Sequence, residues 1–168
     1  MKKSVLKSPA TRKMEPADVP AVAELERAIF GDPWPEAAFI REIDEVRTSW
    51  PRVAVDAESG EIVAYLVGWF IADESHLANI AVAPRSRRQG LAQRLVDELV
   101  EEGRRRDSRF IVLEVRRSNR AAKAFYGKNG FYPVTVRQRY YRDNGEDAIV
   151  MVKPLKPSGR IPPAEGLV

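Results

Sequence analysis

Apolar residues recur at three- and four-residue intervals through Val19, Val22, Leu25, Ile29 and Phe30, which predicts an amphipathic helix. Glu15-Pro16-Ala17-Asp18 opens it and Gly31-Asp32-Pro33 ends it. A second helix starts at Trp34-Pro35-Glu36 and carries Phe39, Ile40 and Ile43 on one side. Strands are predicted at 11–14, 52–56, 62–71 and 76–82, with turns at Ser59-Gly60 and Ala72-Asp73-Glu74. Leu91, Leu95, Val96 and Leu99 form the stripe of a longer helix over 89–106. Phe110–Val115 is an almost unbroken apolar run, as expected of a strand covered on both faces in a parallel sheet. Ser118 or Asn119 caps a further helix that stops at Asn129-Gly130. Phe131–Arg142 and Glu146–Val152 read as a closing pair of strands around Asp143-Asn144-Gly145. The order is β-α-α-β-β-β-α-β-α-β-β. That is a mixed α/β sheet with one β-α-β unit, residues 76–117, in its middle.

The ends of the chain differ from this pattern. Residues 1–10 read as a flexible tail, 11–153 as one domain and 154–168 as a Pro-rich tail. Four prolines after Lys153 predict disorder there. With 168 residues, 44% hydrophobic and 31% charged, the chain has the length and mixture of a single globular domain. The absence of cysteine rules out a disulfide frame, a thiol nucleophile and a zinc-thiolate site. His76 is the only histidine, so a His-based metal site is not expected, and no Ser lies in a nucleophile-elbow sequence. His76 itself reads as a strand-edge side chain without catalytic duty. A net charge of +4 suits an anionic ligand and is weak support for direct nucleic-acid binding. Arg104-Arg105-Arg106 reads as a solvated helix end, where cations favour the dipole. Neither a secretory signal nor a membrane-spanning run is visible, which points to a cytoplasmic protein.

Arg87-Arg88-Gln89-Gly90-Leu91-Ala92-Gln93 stands where the 76–82 strand hands over to the long helix. Helix N-termini present unpaired N–H groups and partial positive charge, and so bind anions. Gly90 leaves room over those amides and the arginines add charge, an arrangement suited to a diphosphate. The Gly-Lys-Ser/Thr ending of a phosphate loop and the three glycines of a dinucleotide fingerprint are both missing. On these residues alone, a tolerated helix glycine beside surface arginines is an equal reading.

Arg-x-x-Gly-x-Ala at 87–92 resembles the acetyl-CoA signature of the GCN5-related N-acetyltransferases (GNAT). The stretches DPWPEAAF, HLANIAV, LEVRRSNRAAKAFYGKNGF and RYYRDNGEDAIVM resemble, more narrowly, the RimI-type N-alpha-acetyltransferases of ribosomal proteins. The likeness covers 14–153. It departs at Ala92, where a second glycine is common, and at Gly127-Lys128-Asn129. It implies a GNAT fold with a central acetyl-CoA-binding β-α-β unit, no metal, and direct attack by the acceptor amine in a ternary complex. Acetyl-CoA is expected in a cleft between the 76–82 and 110–115 strands. Backbone groups of Ile80, Ala81 and Val82 would meet the pantetheine arm, and residues 87–93 the diphosphate.

Glu114 interrupts the apolar run, and a carboxylate buried on both sides is costly without a partner or a purpose. Desolvation would raise its pKa toward that of a useful base. A structural carboxylate bonded to Arg116 is the equal alternative from spacing alone. The resemblance implies that Glu114 is the base, directly or through a water. It likewise implies that Tyr126 is the acid and a cofactor neighbour, where the residues alone favour simple packing. Asn119 combines a helix cap with the family's cofactor-contacting asparagine. Trp34, Tyr140, Tyr141 and Asp147 are candidate acceptor-site residues, Asp147 and Glu146 as possible holders of a cationic N-terminus. The expected partner is a protein N-terminus, a ribosomal one such as the eighteenth small-subunit protein, with a monomer or weak homodimer as the assembly. A small-molecule amine acetyltransferase (polyamine or aminoglycoside) and a non-catalytic CoA- or ribosome-binding module are the alternatives.

Overall fold

The computed structural model describes residues 9–162. Strands β1 (Ala10–Lys13), β2 (Ser49–Val55), β3 (Ile62–Ile71), β4 (Glu74–Val82), β5 (Phe110–Arg116), β6 (Tyr132–Arg137) and β7 (Ala148–Pro154) form one sheet. Their spatial order is β1-β2-β3-β4-β5-β7-β6. The β1–β2, β5–β7 and β6–β7 pairs are antiparallel. β4 and β5 run parallel, pairing Glu74, Ser75 and His76 with Phe110, Ile111 and Val112. The helices are α1 (Val19–Ile29), α2 (Glu36–Asp44), α3 (Leu91–Arg105) and α4 (Arg120–Lys128). This is the mixed sheet and element order that the hydrophobic pattern predicts.

Two compact units divide the chain. One runs through Val67 and resumes at Asn79–Asp97; the other comprises Gly68–Ala78 and the residues from Glu98 on. In the first unit, Val22 and Ala23 of α1, Phe39 of α2 and Tyr65 and Leu66 of β3 are fully buried. Residues 63–68 of β3 are buried without a break, so both faces of that strand are covered. The long apolar run at 110–115 behaves differently. Ile111, Leu113 and Val115 of β5 are buried, while Val112, Glu114 and Arg116 on its other face are partly exposed. Strand alternation places those three together.

The first closing strand is shorter than the pattern predicts, and the second is shifted two residues along the chain. β6 stops at Arg137 and β7 begins at Ala148, so 138–147 leaves the sheet as a loop. Arg139 takes a left-handed φ of 50°, which no strand continues through. The Tyr141 amide then bonds the Glu146 carbonyl and the Gly145 amide the Tyr141 carbonyl, closing the loop on itself.

The Pro-rich segment departs from its expected disorder through Pro162. Amides of Leu155 and Lys156 donate to the Arg109 carbonyl at 2.8 and 3.2 Å. Ile161 exchanges two hydrogen bonds with the Tyr132 hydroxyl and packs against the cluster of Phe110, Val134, Val150 and Val152. Satisfied backbone groups and an apolar anchor hold residues that composition assigns to a tail. The N-terminal tail reading falls mostly outside the described residues, as does 163–168. Among the described residues, no helix is long and apolar enough to cross a membrane.

Gly159 sits where a Cβ would stand 1.8 Å from the Arg109 carbonyl oxygen. Gly159→Ala is therefore expected to lift the 155–161 segment, at about 1–3 kcal/mol of overpacking strain. Thermal denaturation should show a midpoint lowered by roughly 2–4 °C per kcal/mol. An unchanged midpoint would contradict a seated segment.

Candidate active site

The sequence candidates fall into two groups, one in each compact unit. In the first unit, β4 ends at Val82 and a 3-10 turn at Pro84–Ser86 precedes α3. The helix starts at Leu91, two residues later than the pattern predicts. Gly90 is thus outside it, with φ at 79°, and Arg88 also stands left-handed at 61°. A Cβ at position 90 would meet nothing within 4 Å. The glycine is there for its backbone conformation, with open space above it.

The amides of Leu91, Ala92 and Gln93 precede the first intrahelical bond, from Arg94 N–H to the Gly90 carbonyl. They open a helix of 15 residues, so the positive end of its dipole lies at the turn. Arg87, Arg88 and Gln89 are exposed around it. Arg87 bonds the Val82 carbonyl at 3.3 Å and Gln89 the Arg85 carbonyl at 3.4 Å, each bracing the turn. Donors, charge and free space together fit a diphosphate. Ile80 and Val82 are partly exposed and Ala81 is buried.

Trp34, in the turn between α1 and α2, packs its ring on Phe39 with centroids 5.5 Å apart. Its amide donates to Glu26 at 2.9 Å. Glu26 is 1% exposed and also accepts from the Tyr65 hydroxyl and from the Asn79 side chain at 3.2 Å. The Tyr65 phenol is raised far above its usual value by burial, then by the neighbouring Glu26. Sequence reasoning missed Glu26. The available signal was its place on the stripe Val19-Val22-Ala23-Glu26, all four of which are buried.

In the second unit, the Glu114 side chain is 22% exposed, and Arg137 of β6 approaches it at 3.4 Å. The two-sided burial expected around Glu114 is not found, since it shares the partly exposed face of β5 with Val112 and Arg116. Tyr140 is 44% exposed and Tyr141 half-buried, their rings 5.1 Å apart. Burial raises the Tyr140 phenol and Glu114 raises it further, against Arg137. Tyr141 is pushed up to about 12 by burial, against the pull of Arg116, whose guanidinium stacks 3.9 Å over its ring. Tyr126 of α4 is 6% exposed between Phe125 and Phe131. Burial, with a smaller contribution from Tyr141, holds its phenol well above the usual value. It is a neutral hydroxyl throughout the physiological range.

Asn119 caps α4, its side chain accepting the Ala122 amide at 3.0 Å. Asp147 makes two contacts within this unit. One of its oxygens takes the Arg139 amide at 2.9 Å and the other Arg117 at 3.1 Å. Both oxygens thus hold the loop, a structural part that Asp147 plays at 27% side-chain exposure. Glu146 is engaged likewise by the Ser118 amide at 2.7 Å and by Arg116. Arg116 also grips Asp143 at 2.8 Å. The structure therefore gathers Glu114, Tyr126, Tyr140 and Tyr141 in one unit and fixes the 138–147 loop with the arginines that follow Glu114. His76 lies 3.5 Å from Glu74 and touches none of these. No three His, Cys, Asp or Glu side chains gather as metal ligands among the described residues.

The model of the acetyltransferase (GNAT) family matches residues 19–131. The chain belongs to the GNAT acetyltransferase family. This GNAT chain is 35% identical over 144 residues to the [ribosomal protein bS18]-alanine N-acetyltransferase of Escherichia coli K12, spanning 84% of this chain and 95% of that one. It is 38% identical over 142 residues to the N-alpha-acetyltransferase RimI of Mycobacterium tuberculosis, spanning 80% and 85%. The crystal structure of the E. coli ribosomal-protein-S18-alanine N-acetyltransferase superposes with a TM-score of 0.78 at 32% identity, covering 95% of this GNAT chain and 99% of that one.

Ser118 holds Glu146 down to about 2, with Asn144 and Arg116 adding to the effect. A depressed carboxylate stabilises the folded loop above the unfolded value of about 4.3 and loses that contribution as pH falls toward 2. Glu146→Gln should thus lower the melting temperature most near neutrality. The gap from the parent protein should shrink below about pH 4.3. A gap independent of pH would contradict the assignment.

Proposed function

We propose that this chain transfers the acetyl group of acetyl-CoA to the α-amine of a protein N-terminus, a ribosomal protein being the acceptor. The observation that carries the reading is Glu114, partly exposed on β5 with Tyr140 and Tyr141 against it. Its support is a chain more than one-third identical to enzymes named for acetylating ribosomal protein bS18. Those names favour a protein N-terminus over a polyamine or aminoglycoside. They also favour a catalyst over a mere CoA-binding module.

Acetyl-CoA supplies the acyl group as a thioester. The Arg87–Gln93 turn holds its diphosphate through the amides that open α3 and the charges of Arg87 and Arg88. Backbone groups of Ile80, Ala81 and Val82, beyond the three pairs that β4 makes with β5, bond the pantetheine arm as an added strand does. On the family resemblance, Asn119 and Tyr126 are also assigned to the cofactor. Trp34 in the first unit, and Tyr140 and Tyr141 in the second, are assigned to acceptor recognition.

Glu114 takes a proton from the acceptor ammonium, directly or through a water. An α-amine with a pKa of about 7.7–8.0 needs only a modest base near neutrality. The free amine forms its N–C bond as the C–S bond breaks, with no acyl-enzyme. Tyr126 gives its phenolic proton to the departing sulfur, and the second proton shed by the acylated nitrogen returns through solvent to the Tyr126 oxygen, while Glu114 releases its own proton to solvent. The burial that makes the phenol a weaker acid also favours protonation of a thiolate in the same surroundings.

Glu114→Gln and Tyr126→Phe should each lower kcat/KM for an N-terminal peptide by about 10²-fold or more. Calorimetry should find acetyl-CoA binding kept in both. Wild-type rates in both variants would refute the assignments. Mass spectrometry of a peptide and small-amine panel tests the acceptor class, and acetylation of small amines alone would remove the protein reading.

A further inference from the structure

Glu26 is a carboxylate at 1% exposure that the proposed chemistry does not use. Such a group is expensive to bury unless its oxygens are filled. Here three donors fill them: the Trp34 amide, the Tyr65 hydroxyl and the Asn79 side-chain amide. These donors come from the α1–α2 turn, the middle of β3 and β4. The Trp34 ring lies on Phe39, and Phe39 stands edge-on to Tyr65, with centroids 5.5 Å apart at 82°. The circuit closes on itself. Glu26 holds Trp34 by its backbone, and through Tyr65 and Phe39 it supports the same residue by its ring.

We infer that Glu26 is a positioning residue for the acceptor, fixing Trp34 and, through Asn79, tying its turn to the strand residue just before Ile80. The inference rests on reading Trp34 as an acceptor contact. Two features argue for this over a merely structural role. A buried carboxylate met by neutral donors contributes little net stability beyond an apolar replacement, and it defines geometry instead. Trp34 is also left partly exposed at the end of an otherwise buried chain of rings. A carboxylate offers two acceptor oxygens where a carboxamide offers one and presents N–H toward donors. Glu26→Gln is thus nearly isosteric, yet it breaks the circuit. Tyr65→Phe removes one hydroxyl and leaves the ring stack, which guards against a fold defect in the first variant.

The test is steady-state kinetics on peptides that differ in their first residue, with acetyl-CoA as donor. Glu26→Gln and Tyr65→Phe should raise the peptide KM roughly tenfold or more through misplacement of Trp34. The KM for acetyl-CoA should stay at its wild-type value, and discrimination among first residues should narrow. Trp50 and Trp69 are the other tryptophans. In a Trp50→Phe/Trp69→Phe background, the Trp34 emission should shift to the red when Glu26 becomes Gln. Wild-type peptide KM and emission in both variants, with Trp34→Ala still raising that KM, would overturn the inference and leave the Trp34 reading standing. A Trp34→Ala protein with unchanged peptide KM would overturn the Trp34 reading, and the inference with it.

Discussion

Two left-handed residues, Arg88 at φ 61° and Gly90 at φ 79°, stop the chain from drifting gradually into α3. The helix begins abruptly at Leu91, and its first amides keep their direction because the turn before them is braced by Arg87 and Gln89. An alanine at 90 would meet no neighbour, so the demand is on the backbone torsion and not on space around the residue. A left-handed glycine ahead of a long helix turns an ordinary strand-to-helix connection into a set of aimed donors. Everything proposed about the acyl donor depends on that geometry.

Carboxylates elsewhere serve to place backbone. Glu26 holds the α1–α2 turn, Asp147 and Glu146 hold the 138–147 loop, and each accepts a main-chain amide. Arg116, the last residue of β5, and Arg117, the next one, complete the second clip. Tyr140 and Tyr141 therefore owe their place beside Glu114 to charge pairing and not to sheet hydrogen bonds. Glu114 is the contrast. Its ionic neighbour Arg137 is 56% exposed, and exposed pairs of this kind are weak and easily exchanged. Carboxylates that fix loops are saturated with donors, while the one assigned to chemistry is left available.

Much of the fold was legible because period and breaker residues agree along the chain: the helices and strands of the described residues follow the order the pattern predicts. The failures have local causes. Asp143-Asn144-Gly145 has hairpin chemistry, but its acidic flank is drawn to Arg116 and Arg117, contacts no local window contains. Proline content assigned 154–168 to disorder, while Tyr132 and the Arg109 carbonyl, distant in sequence, seat 155–161. Gly90 was marked by its motif, though the torsion it serves shows only in three dimensions. Glu114 and Tyr126 were singled out by resemblance more than by spacing. Glu26 escaped notice because an acidic residue on a helix is ordinarily solvated, and its place on the buried stripe was the only hint.

The most direct test of the α3 turn is calorimetry comparing acetyl-CoA with acetyl-pantetheine, which lacks the diphosphate, on the wild-type protein and on Gly90→Ala. The account predicts that wild type prefers acetyl-CoA by about 10²-fold or more, as charge-assisted bonds to several amides require, and that Gly90→Ala loses most of this preference. Equal affinity for the two ligands in wild type, or a preference untouched by Gly90→Ala, would contradict it.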